Sequence, residues 1–173
     1  MLRSAILALG VLAAPAHAVF TGEMSERAPS GDPDYARGMA AFDAEDWAGV
    51  VAAMSRVVER RPHHDNAWTR LGYAHRKLKD YEESLDAYGR ALSINPHNRS
   101  AIEYLGEAYL ELGRVWEAER LLERLAMECK RVALGFSDGD FSTGCDEHQT
   151  LLAAIRAHRR GEEAPNPYAR RSP

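Results

Sequence analysis

The sequence predicts an all-α fold, an α-solenoid of three helix pairs with a C-terminal capping helix. The first observation is a period of 34 residues, which brings Gly38, Gly72 and Gly106 into register. The second is the helical spacing of apolar residues inside each period, and the third is one more amphipathic segment after the last period. A fixed period of this length is typical of stacked helix pairs, because one pair alone cannot bury its apolar face.

Other columns repeat at the same step. Ala40, Ala74 and Ala108 align, and so do Pro62 and Pro96. The prolines are expected to end the second helix of a pair, since proline cannot continue the intrahelical hydrogen-bond ladder. Gly inside a helix costs about 1 kcal/mol relative to Ala. Its recurrence at the same position of each repeat therefore predicts close helix packing that a side chain would block. The predicted repeats are residues 31–62, 65–98 and 99–132.

The apolar spacing places a helix pair in each repeat. In the middle repeat, Trp68, Leu71 and His75 fall at i, i+3 and i+7, on one stripe of a helix. Asp65 and Asn98 have the residue types that cap the helices that follow them. The six predicted helices are Pro33 to Asp43, Trp47 to Arg60, Asn66 to Lys77, Tyr81 to Ser93, Arg99 to Leu112 and Val115 to Arg131.

The seventh helix is expected at residues 147–159, where Leu151, Leu152 and Ile155 share one face. It can cover the apolar edge of the last pair, which an open solenoid requires. The predicted repeat domain is therefore residues 32–160. The Pro-rich segment 161–173 is expected to be a disordered tail.

The N-terminus predicts export. Arg3 precedes an apolar run over residues 4–14, and Ala16 and Ala18 supply the small residues that a signal peptidase reads. We expect a signal peptide at 1–18, a flexible lead-in at 19–31, and a secreted or periplasmic protein. The run is shorter than the roughly 20 residues of a membrane span, so no membrane insertion is expected after cleavage. An uncleaved anchor is the alternative.

The charge of the chain bears on its partners. The formal net charge is −4, and loss of Arg3 with the signal peptide makes it one unit more negative. An acidic domain repels phosphate, so nucleic acid is not an expected partner.

The middle repeat resembles the tetratricopeptide repeat. The residues that carry the resemblance are Trp68, Leu71 and Gly72 in its first helix and Tyr88, Ala91 and Pro96 in its second. The third repeat matches at Leu105, Gly106, Tyr109 and Ala118. The first has Asp34 and Arg37 at the usual Trp and Leu positions. Terminal units of a solenoid are expected to be atypical in this way.

The resemblance implies a groove for another protein or a peptide, lined by the first helix of each pair. The family's groove positions, transferred residue by residue, include Tyr35, Met39, Phe42, Asn66, Thr69, Tyr73, Arg76, Lys77, Glu103 and Glu107. We expect an apolar end at Tyr35, Met39 and Phe42, a basic middle at Arg76 and Lys77, and an acidic end at Glu103, Glu107 and Glu111. The alternative for Tyr35 and Phe42 is packing against the N-terminal segment.

The chain has two cysteines, Cys129 and Cys145. Because an even number of cysteines in an exported chain favours disulfide formation, we expect these two to form a disulfide. The run 144–147, GCDE, is also similar to the start of the capping helix in exported tetratricopeptide proteins, which implies that the bridge joins cap and repeats. The alternative is a metal-binding or delivery protein that uses Cys129, Cys145 and His148 as soft ligands.

Catalysis has little support, since no nucleophile-elbow, zinc-protease, phosphate-loop or haem-attachment motif occurs. We therefore expect a non-catalytic scaffold or adaptor without a cofactor. A structural accessory repeat in a larger envelope assembly is the third hypothesis.

Overall fold

The computed structural model describes residues 31–133 and 145–162 of the 173-residue chain. This part contains seven α-helices and no strand: α1 (Pro33–Asp43), α2 (Trp47–Arg60), α3 (Asp65–Leu78), α4 (Tyr81–Ile94), α5 (Arg99–Glu111), α6 (Val115–Ala133) and α7 (Asp146–Arg160). Each predicted helix is present, with ends within two residues of those expected. The predicted signal peptide, the predicted lead-in before Gly31 and the predicted tail after Glu162 lie outside the described residues. None of the described helices has the length and hydropathy needed to cross a membrane.

The helices pack as three successive pairs, α1 with α2, α3 with α4, and α5 with α6. Helix α3 also packs on α2, and α5 packs on α4, so each pair is stacked on the one before it. The all-α solenoid predicted from the 34-residue period is confirmed. One apolar cluster, which includes Met54, Tyr88 and Leu105, joins all three pairs.

Helix α7 closes the C-terminal end of the stack and packs on both α5 and α6. Its Leu151 and Ile155 are buried in a second apolar cluster with Ile102 and Leu125. A Cβ atom at Gly106 of α5 would lie 2.7 Å from Leu151, so the third recurring glycine makes room for the capping helix. The structure pairs Cys129 of α6 with Cys145, directly before α7, with their Cα atoms 5.7 Å apart. The intervening residues 134–144 lie outside the described residues.

One predicted cap is wrong. Helix α3 begins at Asp65, and its N-cap is His64, whose Nδ1 accepts a hydrogen bond from the Ala67 amide at 3.3 Å. The Asp65 carboxylate instead accepts from the side-chain amides of Asn95 and Asn98, each at 2.9 Å, and so connects two successive inter-repeat turns. Asn98 caps α5 as predicted, since its side-chain oxygen accepts from the Ala101 amide.

The first repeat replaces the usual Trp with an ion-pair centre. Asp34, 6% exposed, lies 2.8 Å from Arg56 and 2.8 Å from Arg60, and also pairs with Arg37. Hydrogen bonds from Arg56 and Arg37 lower the pKa of Asp34. Trp68, in the equivalent position of the second repeat, donates from its indole nitrogen to the Pro62 carbonyl at 2.8 Å. In the first repeat, Asp34 therefore joins α1 to α2, because Arg56 and Arg60 both lie on α2.

Candidate protein-interaction surface

The ten predicted groove residues lie on α1, α3 and α5, the first helices of the three pairs; we call the surface they form the inner face. Only Asn66 and Lys77 among them are exposed, and Tyr35 and Met39 are partly buried. The other six are buried: Phe42, Thr69, Tyr73, Arg76, Glu103 and Glu107. The family positions therefore supply mainly the floor of the inner face, and a partner can touch few of them directly.

Aromatic rings in mutual contact form part of this floor. The ring centroid of Tyr73 lies 5.0 Å from Phe42, 5.5 Å from Trp47 and 4.8 Å from Tyr104. Edge and tilted contacts at such distances are favourable because the ring edge is positive and the face negative. Trp47, the first residue of α2, is only partly buried. We refer to Phe42, Trp47 and Tyr73 as the aromatic wall.

Sequence reasoning missed Trp47, because the family positions assign the inner face to first helices alone. A signal was present, since a Trp directly after the N-cap Asp46 lies at the turn between two helices of a pair.

Thr69 is 2% exposed and donates its hydroxyl to the Asp65 carbonyl of its own helix. That residue is therefore a structural part of α3.

The predicted basic middle and acidic end are not separate, which corrects the expected charge gradient. Arg76 is 4% exposed and donates to Glu107 at 2.6 Å and to Glu111 at 2.7 Å. Burial acts to lower the pKa of Arg76, but Tyr88, Glu107 and Glu111 raise it above its ordinary value. The guanidinium stays charged and is neutralised inside the protein, since α3 and α5 bring residues one repeat apart into contact.

Glu111 continues this network toward the solvent. It accepts from the Lys79 ammonium at 3.1 Å and from the Tyr81 hydroxyl at 2.9 Å. Burial raises the pKa of Glu111, but Arg76 and the hydrogen bonds from Lys79 and Tyr81 bring it below the ordinary value. The three groups fix the turn between α3 and α4 against α5.

Glu103 does not provide the expected negative charge. It is 5% exposed, and burial together with Glu107 and Glu147 raises its pKa to about 9. At neutral pH it is therefore a protonated, uncharged acid. The acidic end of the inner face is much less acidic than the sequence predicts.

Lys77 is the exposed cation next to the aromatic wall. Its ammonium lies 5.4 Å from the ring centroid of Tyr73 and 6.0 Å from that of Trp47. Burial and the Arg76 charge lower the pKa of Lys77. Among the residues that the structure describes, no carboxylate forms an ion pair with it. The aromatic faces attract this cation, and its charge remains available to a partner.

At the α1 end, Tyr35 stacks on His64, with ring centroids 4.9 Å apart. Met39 packs at the edge of the first apolar cluster, and both residues are partly buried. The predicted apolar end of the inner face is therefore present on α1. The alternative, packing of Tyr35 and Phe42 against the N-terminal segment, concerns residues outside the described part.

The predicted metal alternative conflicts with the pairing of Cys129 and Cys145, because a disulfide leaves no thiolate to act as a ligand. Within residues 31–133 and 145–162, no group of three or more His, Cys, Asp and Glu side chains could hold a metal ion.

Comparison with known proteins agrees with the repeat pattern. The family model described as "Tetratricopeptide repeat" matches residues 66–98. FK506-binding protein-like from Mus musculus is 39% identical over 70 residues, which are 39% of this chain and 20% of that protein. A chain in the structure of the CopN-Scc3 complex is 21% identical, with a TM-score of 0.54 over 69% of this chain and 65% of that chain. The chain thus spans less than two thirds of either relative, and the structural likeness shows the fold.

Proposed function

We propose, from the premise that this chain is a tetratricopeptide repeat protein, that it is a non-catalytic scaffold or adaptor whose inner face binds a segment of another protein. Stacked helix pairs present extended surfaces that suit protein partners. The observation that carries the proposal is the exposed Lys77 ammonium beside the aromatic wall. It combines a charge with apolar surface in one place, as protein recognition requires.

The chemistry of the surface suggests the chemistry of the partner. Arg76 is neutralised by Glu107 and Glu111, so it adds no net charge to the inner face. A carboxylate of the partner would form a charge-assisted hydrogen bond with Lys77. An apolar or aromatic side chain next to that carboxylate would lie against Trp47, whose ring centroid is 6.0 Å from the Lys77 ammonium. We therefore expect the partner to supply a short extended peptide or one face of a helix, in which an acidic and an apolar residue lie close together.

The test is affinity capture with the wild-type chain, the variant Lys77→Glu, and the matched control Lys130→Glu. Lys130 is exposed on α6, away from the inner face, and its substitution makes the same change in charge. Partners that bind the inner face should be recovered with the wild type and the control and lost with Lys77→Glu. Titration calorimetry with a recovered partner should show affinity lower by about tenfold or more for Lys77→Glu. Equal recovery and equal affinity for all three proteins would reject the inner face as the binding surface.

The proposed location is the periplasm or an equivalent exported compartment. The support is the apolar N-terminal run with small residues at 16 and 18, and the disulfide, which persists in oxidising compartments. N-terminal sequencing of the protein isolated from its host should begin at Val19. A chain that begins at Met1 and fractionates with the cytosol would contradict export.

A further inference from the structure

Helix α6 carries a narrow stripe of exposed residues on the side opposite its buried Leu125. From Val115 to Cys129, the exposed positions are Trp116, Arg120, Glu123 and Met127. Steps of four, three and four residues keep them on one face of a helix. Trp116 is 62% exposed and Met127 is 60% exposed. Large apolar side chains as exposed as these mark a contact surface.

The order of residue types in this stripe reads the same in both directions: apolar, charged, charged, apolar. Its centre lies between Leu121 and Leu122. If a second α6 packs antiparallel across that centre, Trp116 faces the partner's Met127. The same two-fold axis brings Arg120 opposite the partner's Glu123, and the reverse pairs follow from symmetry. The stripe is thus self-complementary: apolar residues face apolar residues, and each charge faces the opposite charge. An isologous interface requires this kind of self-complementarity.

The two central charges have no ion pair among the described residues, unlike their neighbours on the same helix. Glu117 pairs with Arg114 at 2.8 Å, and Glu128 pairs with His97 at 3.0 Å. Arg120 instead lies over the ring of Trp116, 4.9 Å from its centroid. Arg120 and Glu123 are therefore both free to form ion pairs across an interface, two per dimer.

A shallow hollow of about 440 Å³ lies along this stripe. Leu105 and Tyr109 of α5 line it together with Leu121 and with the stripe residues Trp116 and Met127. Such a hollow can receive an apolar side chain of the facing helix. Each copy of the chain therefore presents an exposed apolar side chain and a hollow that can receive the corresponding side chain of the other copy.

We propose that the chain associates as a two-fold symmetric dimer through antiparallel α6 helices. From Trp116 to Met127 the stripe is about 16 Å long, since each residue of a helix adds about 1.5 Å. A stripe of this length gives only a small contact area. A reversible, concentration-dependent dimer is therefore expected. None of the stripe residues belongs to the inner face, so both inner faces stay open in the dimer. A partner with two binding segments would then gain avidity.

Sedimentation equilibrium of the whole chain, as purified from cells that express it, tests this dimer. The wild type should approach twice its monomer mass as concentration rises. Arg120→Glu puts two acids opposite each other, and Glu123→Arg puts two bases opposite each other. Each single reversal should weaken self-association about tenfold or more. An equimolar mixture of the two variants restores opposite charges at both positions, and it should recover the dimer mass.

Controls with the same charge changes are Arg61→Glu and Glu59→Arg, both exposed near the end of α2. These should keep the wild-type association constant, and all variants should keep the wild-type circular dichroism spectrum. The proposal is overturned if the wild type stays monomeric up to about 1 mM. It is also overturned if the two reversals leave the dimer intact, or if their mixture stays as weak as each variant alone.

Discussion

Gly72 of α3 lies directly against the ring of Tyr88 in α4. A Cβ atom at Gly72 would be 2.8 Å from two carbons of that ring, closer than real Cβ contacts. The Tyr88 side chain is 0% exposed, so the ring has no free space into which it could move. This contact explains why glycine, a residue that weakens a helix, lies in the middle of α3.

We expect Gly72→Ala to destabilise the fold. Overpacking in a core costs about 1–3 kcal/mol, against a gain of about 1 kcal/mol in helix propensity. The free energy of unfolding, measured by urea denaturation, should therefore fall by up to about 2 kcal/mol. The matched control is Gly89→Ala in α4, where a Cβ meets no atom within 4 Å. That variant should gain about 0.5–1 kcal/mol, and equal effects at the two sites would contradict this account.

Arg76 joins two repeats, because it lies on α3 and its ion-pair partners Glu107 and Glu111 lie on α5. We expect Arg76→Met to lower the free energy of unfolding by about 3–5 kcal/mol, because Glu107 loses its buried counter-charge. Arg90→Met removes an exposed ion pair with Asp86 within α4 and an exposed contact with the Trp68 ring, and together these should cost about 1 kcal/mol. Urea denaturation of both variants measures the difference. A loss at Arg76 no larger than that at Arg90 would show that the buried pair adds nothing.

The helices were predictable because their signals are local. Prolines, N-caps and apolar spacing act within a few residues, so the predicted bounds of all seven helices lie within two residues of the observed ones. The cap of α3 shows the limit of local reasoning. Asp65 has a suitable side chain, but its carboxylate is used by Asn95 and Asn98, about one repeat away. His64 then takes over the cap.

The inner face was less predictable because its charges depend on distances between repeats. Arg76 and Glu107 are 31 residues apart in the chain, and only the stacking of α3 on α5 brings them to 2.6 Å. The burial of Glu103 follows from the same stacking. Family positions identified which residues lie on this side, but neither their exposure nor their pairing can be derived from spacing alone.

Glu103 makes stability depend on pH. Its pKa is about 9 in the folded chain, against an ordinary value of 4.5. The folded state therefore holds this proton at pH values where the unfolded state has lost it. Its contribution to stability is fully present below about pH 4.5 and is lost as the pH rises toward 9, at up to about 1.4 kcal/mol per pH unit.

The variant Glu103→Gln should remove that loss, because an amide stays neutral at every pH. Its free energy of unfolding, measured in urea from pH 5 to pH 9, should exceed that of the wild type by an amount that grows with pH. Glu82→Gln, an exposed change on α4, serves as the control and should follow the wild-type curve. A constant difference between Glu103→Gln and the wild type across this range would contradict a raised pKa.

The bridge between Cys129 and Cys145 should hold the capping helix to the repeats. Its sequence separation is 16 residues, for which the chain-entropy model gives a stabilisation of about 3 kcal/mol. Thiol titration of the purified chain should find no free thiol, and reduction should lower the free energy of unfolding by about that amount. In the double variant Cys129→Ser, Cys145→Ser, the same reductant should change nothing. If reduction frees both thiols and the urea midpoint of the wild type does not move, the packing of Leu151 and Ile155 alone secures α7.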